Sequence, residues 1–563
     1  MNILGISCFY HDSSACLVKD GVVLFAAQEE RFNRIKGSSD FPINAINYCV
    51  QAGNISFSDI DAIVFYEKPY LKFERVLFDY IKGYPLSFGK FLRDIPHWLN
   101  ERLNLPIYLK EKLGIECPIF YVPHHLSHAS SAFFASKFYE AVIITADGVG
   151  EWITTSIAKG KDNKITNLQE IKYPHSLGLL YSTITSYLGF SVNTGEGKTM
   201  AFASYGKPVY MNEFEDIIKV DKHGGFKLNG KYFSFSNDKK MFTEELIKLF
   251  GQPRKKDDYS NQKYFNIASS LQKTLENTIL KIADYAYQLT RSENVCLAGG
   301  VFLNCVANTL IAEKTPFKNI FIQPAAGDAG GSLGAALYIY YEHYKNKRNY
   351  SSMSNAYLGP SFTERELRKQ ILKVGFNAKK MGDDKLVDFI VNQINKGKIV
   401  GLFQGSMEFG PRALGSRTIL ADVRKPMMKD YLNSKIKHRE SFRPYGVIVL
   451  KDEAKKYFNT SFDSPYMLMT GNVNKKLSKF IPSALHIDGT SRLQTVNKKN
   501  NPFLYKLLKR FKQKYKLGMM INTSFNDKDE PIVCTPDDAM RCFLKTNIDY
   551  LIMENYIVSK TGL

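Results

Sequence analysis

The segment Pro123-His124-His125-Leu126-Ser127-His128 places two imidazoles four residues apart where a helix is predicted to start. The i, i+4 spacing puts His124 and His128 on one helix face, where they can ligate one ion. On their own, two such histidines read more readily as a capping or solvated pair. Two carboxylates change that reading. Asp147 stands in Asp147-Gly148-Val149-Gly150 after an apolar run, and Asp328 in Gly327-Asp328-Ala329-Gly330-Gly331. Gly-rich turns that follow strands face the ligand crevice in open α/β folds. Two imidazoles with two hard carboxylates favour Fe(II), Mn(II) or Zn(II) over soft-metal chemistry. His124, His128, Asp147 and Asp328 are therefore the candidate metal ligands.

Other residues fit polyanion and amide recognition. The turns at Asp12-Ser13-Ser14, Asp147-Gly148, Gly299-Gly300-Val301 and Gly327–Ser332 expose backbone N–H groups that can cradle phosphate. One such turn is ordinary punctuation, but several in strand–turn order point to a nucleotide site. Neither Walker A nor G-x-G-x-x-G spacing occurs, so this is no P-loop or Rossmann enzyme by motif. The second half carries Arg412, Arg417, Arg439, Arg443 and Arg492. Arginine forks match phosphate and carboxylate-like groups bidentately. Asn522 and Ser524 can pair the donors and acceptor of an amide.

These residues need elements to hold them. Apolar runs predict strands over residues 2–9, 15–19 and 22–28, the last two joined by an Asp20-Gly21 hairpin turn. The strand–polar turn–strand pattern returns over 141–146 and 154–158, around Asp147. The first part of the chain is thus read as a duplicated lobe. A helix is predicted over 127–135, preceding that second strand pair. Residues 67–115 are aromatic-rich and helical, with helices over 73–82 and 88–103, and read as an insertion. The polar, basic stretch 346–355 reads as a linker between a domain 1–345 and a domain 356–563.

The 563 residues carry a net charge of +21. The lysines are scattered, which favours solvated faces over a polyanion-binding surface. The densest run, 509–516, has helical periodicity and reads as an exposed face. None of the eight cysteines forms C-x-x-C, so no zinc ribbon is written. No apolar run reaches about 18 residues, so no membrane span is expected. With no secretory signal at the start, the expectation is a cytoplasmic protein.

The His-x-x-x-His pair, Asp147-Gly148-Val149-Gly150, Gly299-Gly300-Val301 with Asn304, and Gly327-Asp328-Ala329-Gly330-Gly331 resemble an ASKHA (actin/sugar-kinase-like) domain of the kind in tRNA threonylcarbamoyl transferases. The second half narrows this. Gly405-Ser406-Met407-Glu408-Phe409-Gly410-Pro411-Arg412-Ala413-Leu414-Gly415-Ser416-Arg417, Lys437-His438-Arg439-Glu440-Ser441-Phe442-Arg443-Pro444 and Asn522-Thr523-Ser524-Phe525-Asn526 are similar to the NodU/CmcH O-carbamoyltransferase family. Gly195-Glu196-Gly197-Lys198-Thr199-Met200 and Asp488-Gly489-Thr490-Ser491-Arg492 extend the resemblance over nearly the whole chain.

The resemblance implies an α/β protein with an ASKHA-type N-terminal domain fused to a YrdC-like C-terminal domain. It implies a two-site reaction. Carbamoyl phosphate and ATP would give carbamoyl adenylate at Arg412, Arg443, Arg492 and Asn522, with Lys36 contributing. The adenylate would then meet iron held by His124, His128, Asp147 and Asp328, and an acceptor hydroxyl would take the carbamoyl group, with Asp12 as base or orienting group. Glu196, Lys198, Gly299, Gly300, Asn304, Arg417 and Ser524 complete the expected binding set, and Mg2+ is compatible with the ATP step. The implied partners are ATP, carbamoyl phosphate and a small-molecule or sugar hydroxyl, without nucleic acid; a homodimer is compatible. A tRNA-modifying enzyme is the runner-up, disfavoured by the second half and the lack of a stacking-aromatic RNA module. Hydrogenase maturation is disfavoured by the lack of an acylphosphatase domain and paired C-x-x-C motifs. A sugar kinase leaves the arginines without a purpose, and a non-catalytic nucleotide-binding regulator is the remaining alternative.

Overall fold

A computed structural model describes the chain except residues 86, 236–239, 352, 376, 377, 461 and 561–563. It separates into two compact units, one of Met1–Glu29 with Gly37–Ser354, the other of Glu30–Lys36 with Asn355–Leu563.

The first unit is mixed α/β and contains the same sheet twice. Strands β1 (Asn2–Ser7), β2 (Ser14–Lys19), β3 (Val22–Gln28), β4 (Ala62–Phe65) and β5 (Ile119–Tyr121) form a sheet of order β3-β2-β1-β4-β5. Strands β6 (Glu140–Ala146), β7 (Ile153–Lys161) and β8 (Lys164–Lys172) begin the second sheet. A small separate hairpin, β9 (Ile218–Val220) and β10 (Phe226–Leu228), intervenes, and β11 (Asn294–Ala298) and β12 (Asn319–Ile322) complete the order β12-β11-β6-β7-β8. In each sheet the first three strands are antiparallel, and the last two run parallel to the first. The central strands are near-continuous apolar runs because both faces are covered. β1 is buried from Ile3 to Ser7, and β6 from Ala141 to Ala146.

The expected lobe duplication is therefore present, and the two copies differ in their crossovers. Between β11 and β12 the chain makes a single 3-10 turn, Gly300–Leu303, and the α-helix Cys305–Lys314. Between β4 and β5 it makes helices Pro69–Lys82, Phe88–His97 and Leu105–Leu113. The single helix expected over 88–103 is interrupted near Pro96, where the ring removes a donor, and continues as a wider turn, Trp98–Arg102. Within the 346–355 stretch one arginine is anchored to the first unit. Arg348 is buried, donates to Phe133 O at 2.5 Å and lies 4.0 Å from the Phe133 ring centroid.

Among the described residues the second unit is built on nine strands: β13 (Ala378–Lys380), β14 (Val400–Phe403), β15 (Arg417–Ala421), β16 (Gly446–Leu450), β17 (Met469–Asn472), β18 (Thr490–Val496), β19 (Met519–Ser524), β20 (Tyr550–Met553) and β21 (Tyr556–Ser559). Their order is β13-β21-β20-β14-β15-β19-β16-β18-β17. The helix Pro502–Tyr515 buries Leu504, Leu507, Leu508 and Phe511, which leaves its lysine run on the other side. Among the described residues no helix is long and apolar enough to cross a membrane.

Candidate active site

The helix His124–Phe133 starts at the first histidine, and a carboxylate holds its first turn. Buried Glu151 accepts from the His124 N–H at 3.0 Å. An acidic group there satisfies an otherwise orphan donor and complements the helix dipole. The i, i+4 pair then meets as the spacing requires: His124 Nε2 and His128 Nε2 are 3.0 Å apart. Gly150 makes room, since a Cβ on it would lie 2.8 Å from His124 Cβ. The middle histidine turns away, with His125 Nδ1 2.7 Å from Thr145 Oγ1.

Asp147 follows β6. Its Oδ1 accepts from the N–H groups of Gly148 at 2.8 Å and Gly300 at 3.2 Å. That leaves Oδ2 for His128 Nε2 at 2.8 Å and His124 Nε2 at 3.3 Å. Asp328 stands at the start of the helix Ala329–Tyr338, with Oδ1 3.6 Å from His128 Nε2 and 3.7 Å from His124 Nε2. Small residues bring it there. A Cβ on Gly334 would sit 1.8 Å from Ser127 O, and one on Gly5 1.9 Å from Ser332 O. The Asp328 helix thus packs backbone to backbone on β1 and on the histidine helix.

Each of the four residues offers a ligand atom, and these atoms lie within 4.8 Å of one another, all in buried side chains. Two imidazole nitrogens face each other across a shared carboxylate oxygen, and buried Asp328 Oδ2 has no hydrogen-bond partner. Such a set calls for positive charge at its centre, which a divalent cation supplies; the residues fit a metal. Burial by itself lowers the His124 pKa. The Asp328, Asp147 and Glu67 carboxylates outweigh it and lift the imidazole to about 10. Asp147 itself is held well below the usual carboxylate range, because the two histidines outweigh its burial.

A ring of residues that spacing did not single out surrounds this cluster. Buried Glu67 lies 3.8 Å from His124 Nδ1 and 2.6 Å from Lys72 Nζ. Burial raises its pKa, but Lys72 and His124 prevail and hold it at about 2. His11 Nε2 is 4.0 Å from Asp328 Oδ2, and its Nδ1 is 2.9 Å from Asp12 Oδ2. Burial opposes charge on His11, yet Asp328 and Asp12 raise it to about 9. The Glu67 carboxylate next to a ligand histidine follows the common outer-shell pattern, but Glu67 is remote from the motifs in sequence. His11 was readable only as Asp12's neighbour.

The other expected residues of this unit have definite neighbours. Glu196 Oε1 accepts from Ser182 Oγ at 2.8 Å and Asn193 N at 2.9 Å, and Lys198 Nζ lies 5.9 Å from the Phe190 ring centroid. Gly299 has φ +99° and would drive a Cβ to 2.2 Å from Ala146 O. Asn304 caps the helix Cys305–Lys314 through Ala307 N and exchanges hydrogen bonds with Gln272. Its amide is engaged within the protein.

In the second unit, β16 pairs in register so that Gly446 stands between Arg492 of β18 and Asn522 of β19. Register neighbours share a sheet face, so Arg492 and Asn522 flank a position without a side chain. Cations gather here. Burial, then Arg439 and Arg492, bring Arg443 down to about 10. Burial, then Arg439, Arg443 and Lys36, push Lys437 well down. Crowded, partly desolvated cations favour an anion among them.

Two of the expected ligands make framework contacts. Arg417 is buried, stacks 3.6 Å from the Phe403 ring centroid and donates to Gln404 O, Gly405 O and Pro360 O. Asn522 gives its amide hydrogens to Ala413 O and Gln494 Oε1 and accepts from Thr418 Oγ1. It tethers the loop that carries half-buried Arg412. Ser524 Oγ donates to Asn526 Oδ1 at 2.7 Å, and Lys437 Nζ donates to Ser524 O at 2.8 Å.

A doubled five-stranded sheet with this topology, carrying an imidazole–carboxylate cluster, defines an ASKHA-type α/β domain. Two family models match the chain, one described as Carbamoyltransferase N-terminus over residues 2–337 and one as Carbamoyltransferase C-terminus over residues 391–560. The chain belongs to the carbamoyltransferase family and is an enzyme of carbamoyl transfer.

It is 43% identical to the uncharacterized protein sll1178 of Synechocystis sp., over 100% of this chain and 97% of that protein. It is 33% identical to the nodulation protein NolNO of Sinorhizobium fredii, over 98% of this chain and 79% of that one. Solved structures resemble it weakly. HypF of T. kodakarensis matches at 13% identity and TM-score 0.36, over 62% of this chain and 49% of that one. The Clostridium difficile activator of 2-hydroxyisocaproyl-CoA dehydratase, with bound ADPNP, matches at 13% and 0.31, over 61% and 96%. The fold is read from the sheet topology rather than from these likenesses.

Proposed function

We propose that the chain makes carbamoyl adenylate from ATP and carbamoyl phosphate in the unit that carries Arg412, Arg443 and Arg492, and that the doubled-sheet unit passes the carbamoyl group to a hydroxyl of a sugar, antibiotic or other natural product. The observation that carries this reading is the convergence of His124, His128, Asp147 and Asp328, within 4.8 Å, in a chain of this family. These residues would hold a divalent cation, Fe(II) by the family resemblance, which supplies Lewis-acid neutralisation of charge on a phosphate.

The protein groups have separate tasks. Water releases phosphate from carbamoyl phosphate, and the carbamate oxygen then attacks the α-phosphorus of ATP as pyrophosphate leaves. In the transfer step the acceptor oxygen attacks the carbamoyl carbon, the bond from that carbon to the phosphate oxygen breaks, and AMP leaves with the bonding pair. Asp12, in the first turn, takes the hydroxyl proton, and His11 holds the Asp12 carboxylate. Glu67 and Lys72 fix His124 from behind. Gly148 and Gly300 fix Asp147 through its other oxygen. In the second unit the Arg439, Arg443 and Arg492 charges bind the two phosphorylated substrates, with Lys36 among them.

The test is a mass-spectrometric screen of hydroxylated acceptors for a carbamoyl mass gain, with ATP, carbamoyl phosphate and Fe(II) supplied. ATP turnover should depend on carbamoyl phosphate. Turnover without it would remove the adenylate reading and leave a kinase-like one.

A further inference from the structure

Two helices of the first unit begin without a capping side chain of their own. The helix His124–Phe133 is preceded by Pro123 and the crossover helix Pro69–Lys82 by Lys68, and neither residue offers a side-chain acceptor to its own first turn. One carboxylate serves both. Glu151 Oε1 accepts from Lys68 N at 2.8 Å and from His124 N at 3.0 Å, and Glu151 Oε2 is 3.2 Å from His124 N. Glu151 is 4% exposed, so water does not compete for these bonds. It stands in the turn between β6 and β7, which Asp147 N closes on Thr154 O at 2.9 Å and Gly150 N on Ile153 O at 3.0 Å. The same closed turn carries Asp147. It therefore supplies one candidate ligand and grips the backbone of another.

His124 is thereby held at three atoms. Glu151 takes its backbone N–H, Asp147 Oδ2 lies 3.3 Å from Nε2, and Glu67 Oε2 lies 3.8 Å from Nδ1. Glu67 and Lys68 are adjacent, so these contacts close a ring. It runs from Lys68 N through the Glu151 carboxylate to His124 N, and from His124 Nδ1 back to Glu67. Turning the imidazole or sliding its helix breaks a side of this ring. Lys72, buried one helical turn further on, ties Glu67 Oε2 to the same crossover helix at 2.6 Å. Outer groups that orient an imidazole ligand are worth about 10–100-fold in metal affinity. A distant cap would act on stability alone, whereas this one bonds the backbone of the ligand residue itself. We infer that Glu151 is a positioning residue for the metal ligand His124, and that by capping two helices at once it makes the crossover entry, residues 67–72, part of the support of the metal site. The inference rests on the metal reading of the four-residue cluster.

The test titrates the full-length, metal-free protein with Co(II), whose visible absorption reports its ligand geometry, in competition with a chromophoric chelator. Glu151→Ala should weaken Co(II) binding about 10–100-fold and alter the visible band. Glu151→Gln keeps the shape and one acceptor oxygen, so it should bind close to wild type with the wild-type band. A folded Glu151→Ala protein with wild-type affinity and band overturns the inference. It does so even if the unfolding midpoint falls, because that is the signature of a cap alone. Equal losses in the Gln and Ala variants also overturn it, since the acceptor geometry would then count for nothing. If Glu151→Ala does not fold, Glu151→Asp, shorter by one methylene, must show the loss in its place, and wild-type affinity there is equally fatal. Wild-type protein that takes up no Co(II) would remove the metal reading itself, and this inference with it.

Discussion

His124 and His128 illustrate how local spacing becomes a site. Their Nε2 atoms lie 3.0 Å apart and share Asp147 Oδ2, an arrangement that needs a proton or a cation between them. Purified protein should therefore hold close to one divalent ion per chain by elemental analysis, and His128→Ala should lose most of it. Full occupancy in His124→Ala/His128→Ala would end the metal assignment. Asp12 is a second case at this scale. It sits at φ +53° with its carboxylate on His11. If it is the base, Asp12→Asn should slow carbamoyl transfer at least about 10²-fold. If it only orients the acceptor, KM should rise with kcat nearly unchanged. Steady-state kinetics on an identified acceptor separate the two.

Elements place those residues through close backbone approach. Asp328 reaches the histidines because Gly334 lets its helix touch Ser127 O, where a Cβ would fit only at 1.8 Å. Gly334→Ala should push the two helices apart and cost about 1–3 kcal/mol in urea unfolding, the usual range for overpacking. It should also lower metal content although no ligand changes. A folded Gly334→Ala protein with full metal would show that Asp328 is not needed to hold the ion. The sheets duplicate, but the crossovers do not. The short Cys305–Lys314 helix in one lobe corresponds to the three helices that carry Lys72 and the exposed apolar face in the other.

At the scale of the whole molecule, the two units should be separable by mutation. Arg443→Ala removes a fork from the crowded cation cluster, so it should abolish carbamoyl adenylate formation while transfer from pre-made adenylate continues. Normal adenylate formation with failed transfer would reverse the assignment of the units. The same cations shape stability against pH. Burial, together with Arg492 and Lys429, holds His486 at about 4, against 6.5 for a free imidazole. Between those values the unfolded chain binds the extra proton, so stability rises with pH across the window. The contribution is present above about 6.5 and is lost as pH falls through about 4. The urea midpoint should decline from pH 7 to pH 4, and less steeply in His486→Gln. Identical slopes would show that His486 does not carry the effect.

Sequence alone determined what is local or periodic: the strands, the doubled lobe, the i, i+4 histidines and the two aspartates in Gly-rich turns, because donor chemistry and short spacings survive without a fold. Tertiary structure decided which polar groups remain for ligands. Arg417 and Asn522 read as anion and amide binders by type, and the terminal nitrogens of Arg417 and the amide of Asn522 donate to carbonyls and to Gln494 that lie far away in the sequence. Glu67 and Glu151 joined the site only because β4 and β7 bring distant segments beside the histidine helix, and no spacing rule reaches that far. The burial of Lys72 and Arg75 beneath exposed Phe78 and Ile81 was likewise invisible, since periodicity shows that a helix has two faces but not which one turns inward.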